Sequence, residues 1–177
     1  SALVRETGGG FGLWAPNPAW VAAEEQPPGQ LTLLCEAHGA SIGLTRIDHF
    51  EPGTALDTAV ESVASWFRLL HPDLRLGRRE TVVVREQKAI RLCASGGPKG
   101  AVVQATVDVI PHRGQFLVLV CRAPASAWQE LAVDFAFLLR SIELEPQGVA
   151  PVSGSSARRC ESRAFASRSL YVASKNS

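Results

Sequence analysis

The chain lacks any apolar run long enough to cross a bilayer. Its longest, residues 116–121, is strand-sized, whereas a spanning helix takes about 18 apolar residues or more. It also lacks a basic stretch followed by an apolar core at its start, so either no secretory leader existed or it was removed before this numbering begins. No C-x-x-C pair joins any of its four cysteines, at 35, 93, 121 and 160, which excludes the usual zinc-finger and thioredoxin-type spacings. Lysine is scarce, with 3 Lys against 15 Arg, a bias that suggests a GC-rich coding genome. A large basic face is missing as well. Residues 1–145 carry 13 basic and 16 acidic side chains, and the small net charge of +1 arises because residues 146–177 carry 5 and 1. The main body is thus mildly acidic, which argues against counterion-driven nucleic-acid binding.

What is present is the composition of a folded globule. Apolar residues make up 46% and charged residues 20%, and 177 residues suit one domain that buries its core without a metal or disulfide staple. Residues 1–9, with their glycine triplet, read as a flexible N-terminal segment; residues 10–145 read as one α+β domain. From Pro146 onward the composition shifts to Ser, Arg, Gly and Ala with no sustained period, so residues 146–177 read as a basic tail or linker. Cys35, Cys93 and Cys121 fall in apolar, strand-like stretches, where a free thiol behaves as a small buried hydrophobe; a bridge between neighbouring strands is the alternative in an oxidising compartment. The cysteine usage and missing leader favour the cytoplasm, and a removed upstream signal would instead place the chain at the cell envelope.

The periodicities predict the elements. Phe11-Gly12-Leu13-Trp14 is a short strand stopped by Pro16 and Pro18. Residues 31–35 and 41–47 form a hairpin around His38-Gly39. Residues 54–70 carry Leu56, Val60, Val63, Phe67 and Leu70 at helical spacing, started by a capping-box-like Thr54 to Asp57 and stopped by Pro72. Strands follow at 81–85, 88–93, 101–110 and 115–121. In 101–110 apolar Val103, Ala105, Val107 and Val109 alternate with Gln104, Thr106 and Asp108, giving one buried and one wetter face. Residues 115–121 are apolar on both faces and so belong at the sheet centre, covered on each side. A second helix starts at a capping box of Ser126 and Gln129, with Trp128, Leu131, Ala132, Phe135, Leu138 and Leu139 as its buried stripe, and residues 141–144 add a short strand. The short connections predict a mainly antiparallel sheet.

Several of these pieces resemble a known family. Phe11-Gly12-Leu13-Trp14-Ala15-Pro16-Asn17-Pro18-Ala19-Trp20 resembles the F-x-hydrophobic-x-x-P-x-x-W opening of PsbP-like and DcrB-like domains, whose superfamily includes a Ran-binding nuclear-import factor. Residues 84–92 are similar to the family's central hairpin, with Gln87 near the place of its usual glycine. Residues 115–124 are similar to the strand before the last helix, with Phe116 or Leu117 in place of its tyrosine. Phe135-Ala136-Phe137-Leu138-Leu139-Arg140-Ser141-Ile142 resembles F-x-x-I-L-x-S-F. The resemblance covers residues 10–145. It implies an αβα sandwich around a mainly antiparallel sheet and a non-catalytic role, because its relatives are accessory subunits, envelope lipoproteins, effector chaperones and GTPase-binding factors.

Chemistry-bearing motifs fail one by one. Cys35, His38 and His49 sit at opposite ends of the 31–47 hairpin; ten residues of strand at about 3.3 Å each separate the two histidines by roughly 30 Å, too far to share a metal. Val152-Ser153-Gly154-Ser155 is no nucleophile elbow. Gly96-Gly97-Pro98-Lys99-Gly100 lacks the phosphate-loop order and precedes a strand. His38, His49, His71 and His112 all fall in turns or at element ends. The expectation is therefore no catalytic residue, no metal, no cofactor and no nucleic acid. It is a binding or accessory module for an unidentified protein partner, or alternatively a small-molecule or lipid carrier with a pocket between helix and sheet. Trp66, Phe67, Trp128 and Phe135 read as core; Trp14 and Trp20, near the N-terminal strand and flanked by prolines, read as structural plugs at the sheet edge or, where one is exposed, as candidate binding residues, since tryptophan is enriched at binding hot spots.

Overall fold

The computed structural model describes residues 2–8 and 10–144. Its elements run β1 (Leu3–Arg5), β2 (Phe11–Trp14), β3 (Val21–Ala22), β4 (Gln30–Cys35), β5 (Ala40–Ile47), α1 (Leu56–Leu70), β6 (Leu74–Val84), β7 (Gln87–Gly96), β8 (Val103–His112), β9 (Gln115–Pro124), α2 (Trp128–Ser141) and β10 (Glu143–Leu144). Two antiparallel sheets form, a seven-stranded one ordered β3-β4-β5-β9-β8-β7-β6 and a three-stranded one ordered β1-β2-β10. None of the described helices is long and apolar enough to cross a membrane.

β9 occupies the middle of the large sheet, between β5 and β8, as its unbroken apolar pattern requires. Its alternate side chains feed two separate cores. Phe116 and Val118 join Val60, Val63 and Phe67 of α1 on one face, while Leu117, Leu119, Cys121 and Ala123 join Leu131, Phe135 and Leu138 of α2 on the other. The period of two along one strand thus holds the two helices on opposite faces. The small sheet closes the end of the α2 core with Phe11 and Leu13.

The turns obey the backbone's own limits. β4 and β5 join through a single 3₁₀ turn (Glu36–His38) that ends at Gly39 with φ 59°, a value glycine adopts at no steric cost. The β6–β7 turn has no glycine: Arg85 and Glu86 hold φ 49° and 67°, the two-residue turn whose twist matches the strands.

Four expectations need correction. Within the segment expected to be flexible, 1–9, the described residues 2–8 are not a free lead-in, because Leu3–Arg5 pairs with Gly12 to Trp14 and Glu6 is buried at 3% exposure. The Glu6 carboxylate accepts the N–H groups of Gly29 at 2.9 Å and Gly10 at 3.3 Å, which ties that segment to two loops; a three-residue strand is too short to show a period. Neither helix uses its capping box. The N-caps are Ala55 and Ala127, without side-chain bonds, and Thr54 instead donates its hydroxyl to the Glu51 carbonyl. β6 begins at Leu74, seven residues before the expected strand, since its arginine-rich first half sits on a sheet edge where charge is tolerated. Finally, the wetter face of β8 includes Asp108, which is fully buried. Cys35, Cys93 and Cys121 are free thiols, and burial pushes the Cys121 thiol up to about 12. The expected basic tail, 146–177, lies outside the described residues.

Candidate binding surface

α1 covers one face of the large sheet over β6 to β9 and stops short of β4 and β5. On that side the strands present Thr32, Ser41, Gly43 and Thr45, none of them buried, and a Cβ added at Gly43 would meet nothing within 4 Å. Where this open flank meets α1, a cleft of about 560 Å³ forms. Ile47 and Val63 line its apolar part, Phe50 and Trp66 supply aromatic surface, and Asp48 and His49 supply polar groups.

The segment after β5 is held in place by reciprocal bonds. Phe50 donates its N–H to Gln115 Oε1 at 3.2 Å, and Gln115 Nε2 donates back to the Phe50 carbonyl at 2.9 Å. The Phe50 ring meets Phe116 edge-on at 5.3 Å and stacks with His49 at 4.9 Å. Arg46 Nε donates to Asp48 Oδ2 at 2.8 Å. The result is an ordered aromatic wall, of the kind that binds without a large ordering cost.

The outer flank of α1 continues this surface. Trp66, Leu69 and Leu70 are 40%, 83% and 56% exposed, and their i, i+3, i+4 spacing places them together on one side of the helix. This corrects two assignments. Trp66 is not core, and Leu70 drops out of the buried stripe, because Ala59, Val60, Val63, Ala64 and Phe67 already fill the helix–sheet contact. A signal was present in the sequence: the apolar positions of this helix span more of its circumference than one sheet contact can cover.

The two tryptophans singled out from the sequence are placed elsewhere. Trp20 is 3% exposed; its Nε1–H donates to Asp134 Oδ2 at 2.7 Å, and its ring meets Phe135 edge-on at 6.0 Å. It is a core residue with a satisfied polar handle. Trp14 is half-buried, with its Nε1–H donating to Glu143 Oε1 at 2.8 Å, so it fastens β2 to β10. The structure thus brings neither into the α1 cleft.

His38 lies 3.6 Å from Glu130, and His71 packs on the Phe67 ring at 4.6 Å. Burial lowers the pKa of His71 and of His112, with Arg122 adding to the effect at the first and Arg113 at the second. Among the described residues no group of three His, Cys, Asp or Glu side chains could hold a metal ion. On the sheet face opposite α1, Arg91 Nε and Nη2 donate to the Asp108 carboxylate at 2.7 and 2.9 Å. Burial raises the Asp108 pKa against the opposing pull of Arg91.

No family model and no curated protein matches this chain. Solved structures do. The chain is similar to the Ran-binding protein Mog1p of Saccharomyces cerevisiae, at 12% identity and a TM-score of 0.56 over 81% of this chain and 94% of that one. It is similar to LpqN, involved in cell envelope biogenesis of Mycobacterium tuberculosis, at 14% identity and a TM-score of 0.55 over 82% and 90%. It is also similar to cyanobacterial PsbP from Synechocystis sp. PCC 6803, at 15% identity and a TM-score of 0.54 over 81% and 91%. The chain has the PsbP- and Mog1-like fold, an antiparallel sheet with helices packed on it.

Proposed function

We propose that this chain is a non-catalytic binding or accessory module, whose protein partner docks on the α1 cleft and the open β4–β5 flank beside it. The observation that carries this reading is the exposed group Trp66, Leu69 and Leu70 next to a cleft walled by Phe50. Isolated exposed apolar residues are ordinary, whereas a contiguous set beside an ordered aromatic cleft with polar groups at its edge has the anatomy of an interface. One structural neighbour binds Ran and another is involved in cell envelope biogenesis, which supports a partner-binding role without naming the partner. The partner is expected to offer an apolar or aromatic anchor, since the cleft has only a few charged groups to recognise.

The experiment is a cross-linking capture from the native host, run in parallel with wild type, Trp66→Ala, Leu69→Glu and Trp14→Ala. A protein captured by wild type and by Trp14→Ala, and lost with both α1 variants, supports the surface. Identical capture by all four proteins, or loss with Trp14→Ala alone, moves the interface off α1.

A further inference from the structure

The sheet has a second uncovered region, on the α2 side of β6 to β8, and it differs in chemistry from the α1 cleft. The α2 core takes in β4, β5 and β9 and the Val84, Ala89 and Ile110 ends of β6 to β8; beyond it lies a groove of about 390 Å³ lined by Arg75, Arg78, Glu80, Arg91, Gln104, Thr106 and Trp128. The floor is built on the Arg91–Asp108 pair, which the β7–β8 register places directly opposite one another. Asp108 is fully buried and the Arg91 side chain is 22% exposed.

Charge and geometry narrow what such a groove takes. Arg78 is paired with Glu80 and Arg91 with Asp108, so three guanidinium groups face two carboxylates and one positive charge is left over, at Arg75. Arg91 uses Nε and one Nη2 hydrogen on Asp108. A guanidinium has five N–H donors in one plane, so the Nη1 pair and the second Nη2 hydrogen stay directed away from Asp108. Because Asp108 fixes the plane, those donors are held in position before any ligand arrives, and a planar fork matches a carboxylate bidentately. Gln104 and Thr106 add neutral polar groups, and Trp128 adds an aromatic surface for a flat apolar body. Behind Arg91, Thr106 and Trp128 lies a smaller cavity of about 150 Å³ that reaches Phe135 and Leu139 under α2, so apolar space adjoins the charged groove.

We propose that this groove binds a small aromatic monocarboxylate, its carboxylate on the free edge of Arg91 and near Arg75, its ring against Trp128. One excess charge suits a monoanion; a dianion such as phosphate leaves one negative charge uncompensated. The volume falls in the range of small-molecule sites. The site is independent of the protein-docking surface on α1, which lies on the other face of the sheet.

Benzoate is the probe, followed by calorimetry and by the Arg91 and Trp128 side-chain N–H signals in ¹H–¹⁵N spectra. Saturable binding that moves both signals is expected, with benzamide, the neutral isostere, weaker by roughly tenfold or more, as expected when a charge-assisted bidentate contact is lost. Arg75→Gln, a surface change, should weaken benzoate several-fold. Because an Arg91 substitution alone strands a buried carboxylate, the double variant Arg91→Met/Asp108→Leu is used; it should keep its urea midpoint and lose benzoate binding. Trp66→Ala should bind benzoate like wild type. Equal affinity for benzoate and benzamide, inorganic phosphate binding as tightly as benzoate, or shifts confined to residues outside the groove would each overturn the proposal. So would a glutamate-rich peptide that moves the Arg91 signal where benzoate does not, which would make the groove an acidic-peptide site.

Discussion

The two open regions of the large sheet are made by the same rule and come out opposite in character. α1 covers one face toward β6 and leaves the β4–β5 flank open; α2 covers the other face toward β4, with Val84, Ala89 and Ile110 in its core, and leaves open only the 75–80, 91–95 and 104–106 parts of β6, β7 and β8. The bare flank beside α1 carries Thr32, Ser41, Gly43 and Thr45 and ends at the aromatic pair Phe50 and Trp66. The bare region on the α2 side carries Arg75, Arg91, Gln104 and Thr106. An alternating strand writes its two faces independently, so one sheet can offer an apolar, protein-like contact on one side and a cationic groove on the other. A function inferred from one flank therefore says nothing about the other.

The largest effects test whether the two cores are equally necessary. Phe67→Ala in the α1 core should cost about 3–5 kcal/mol and Leu138→Ala in the α2 core about 2–5 kcal/mol, both from lost burial plus a cavity, read as urea midpoints. If either leaves the midpoint in place, that helix is not holding its face of the sheet.

Next comes the pair beneath the cationic groove. Asp108→Asn should cost about 3 kcal/mol, because it leaves the Arg91 charge half-buried without its counterion, whereas Arg91→Met/Asp108→Leu should be near neutral. Equal losses for the single and double variants would show that the pair holds the sheet together, leaving less reason to see it as preorganised for a ligand.

A smaller effect concerns Glu6, which ties its segment to two loops. Burial by itself would raise the Glu6 pKa, but the N–H groups of Gly29, Gly8 and Gly10, with Arg46 nearby, outweigh it and hold the carboxyl below its ordinary value. A carboxyl lowered on folding contributes stability that is present above its unfolded value, about 4.3, and is lost as pH falls through the lower folded value. Glu6→Gln should therefore cost about 1.5–2 kcal/mol at neutral pH, the worth of hydrogen bonds to a charged group, and should flatten the acid limb of the stability curve. A parallel acid limb in wild type and variant would mean that other carboxylates set it.

The smallest effect on stability falls on the α1 surface. Leu69→Glu should shift stability by no more than about 0.5 kcal/mol, as exposed substitutions do, while removing partner capture. A large stability loss there would show that Leu69 is packed in solution and would sharpen the contrast in the opposite direction.

Much of the architecture was readable in advance for identifiable reasons. The helix expected over 54–70 forms as Leu56–Leu70, and the strand expected to be central is central, because long periodic segments declare themselves. The 31–47 hairpin was readable from its two apolar runs and Gly39. The first strand was not, since three residues carry no period, and the front half of β6 was not, since Arg75, Arg78 and Arg79 look like a loop until the segment is known to be an edge. The candidate surface was less legible still. Trp20, flanked by prolines, read as either a plug at the sheet edge or a binding anchor; it is buried, and Asp134 takes its indole N–H. Trp66, read as core, emerged as the exposed one.

By itself the order of apolar and polar residues determined the element types, the central position of β9 and the antiparallel connectivity, because hydrophobic period and connection length are local properties. It also supplied the arginines of β6 and β7. Tertiary structure decided where each helix stops covering the sheet, and therefore which tryptophan is exposed, which carboxylate is buried and which arginines share a groove. Those depend on strand register and on packing between elements: Asp108 meets Arg91, 17 residues away, only because β7 and β8 pair in the register they do, and the loop between them does not by itself fix that register.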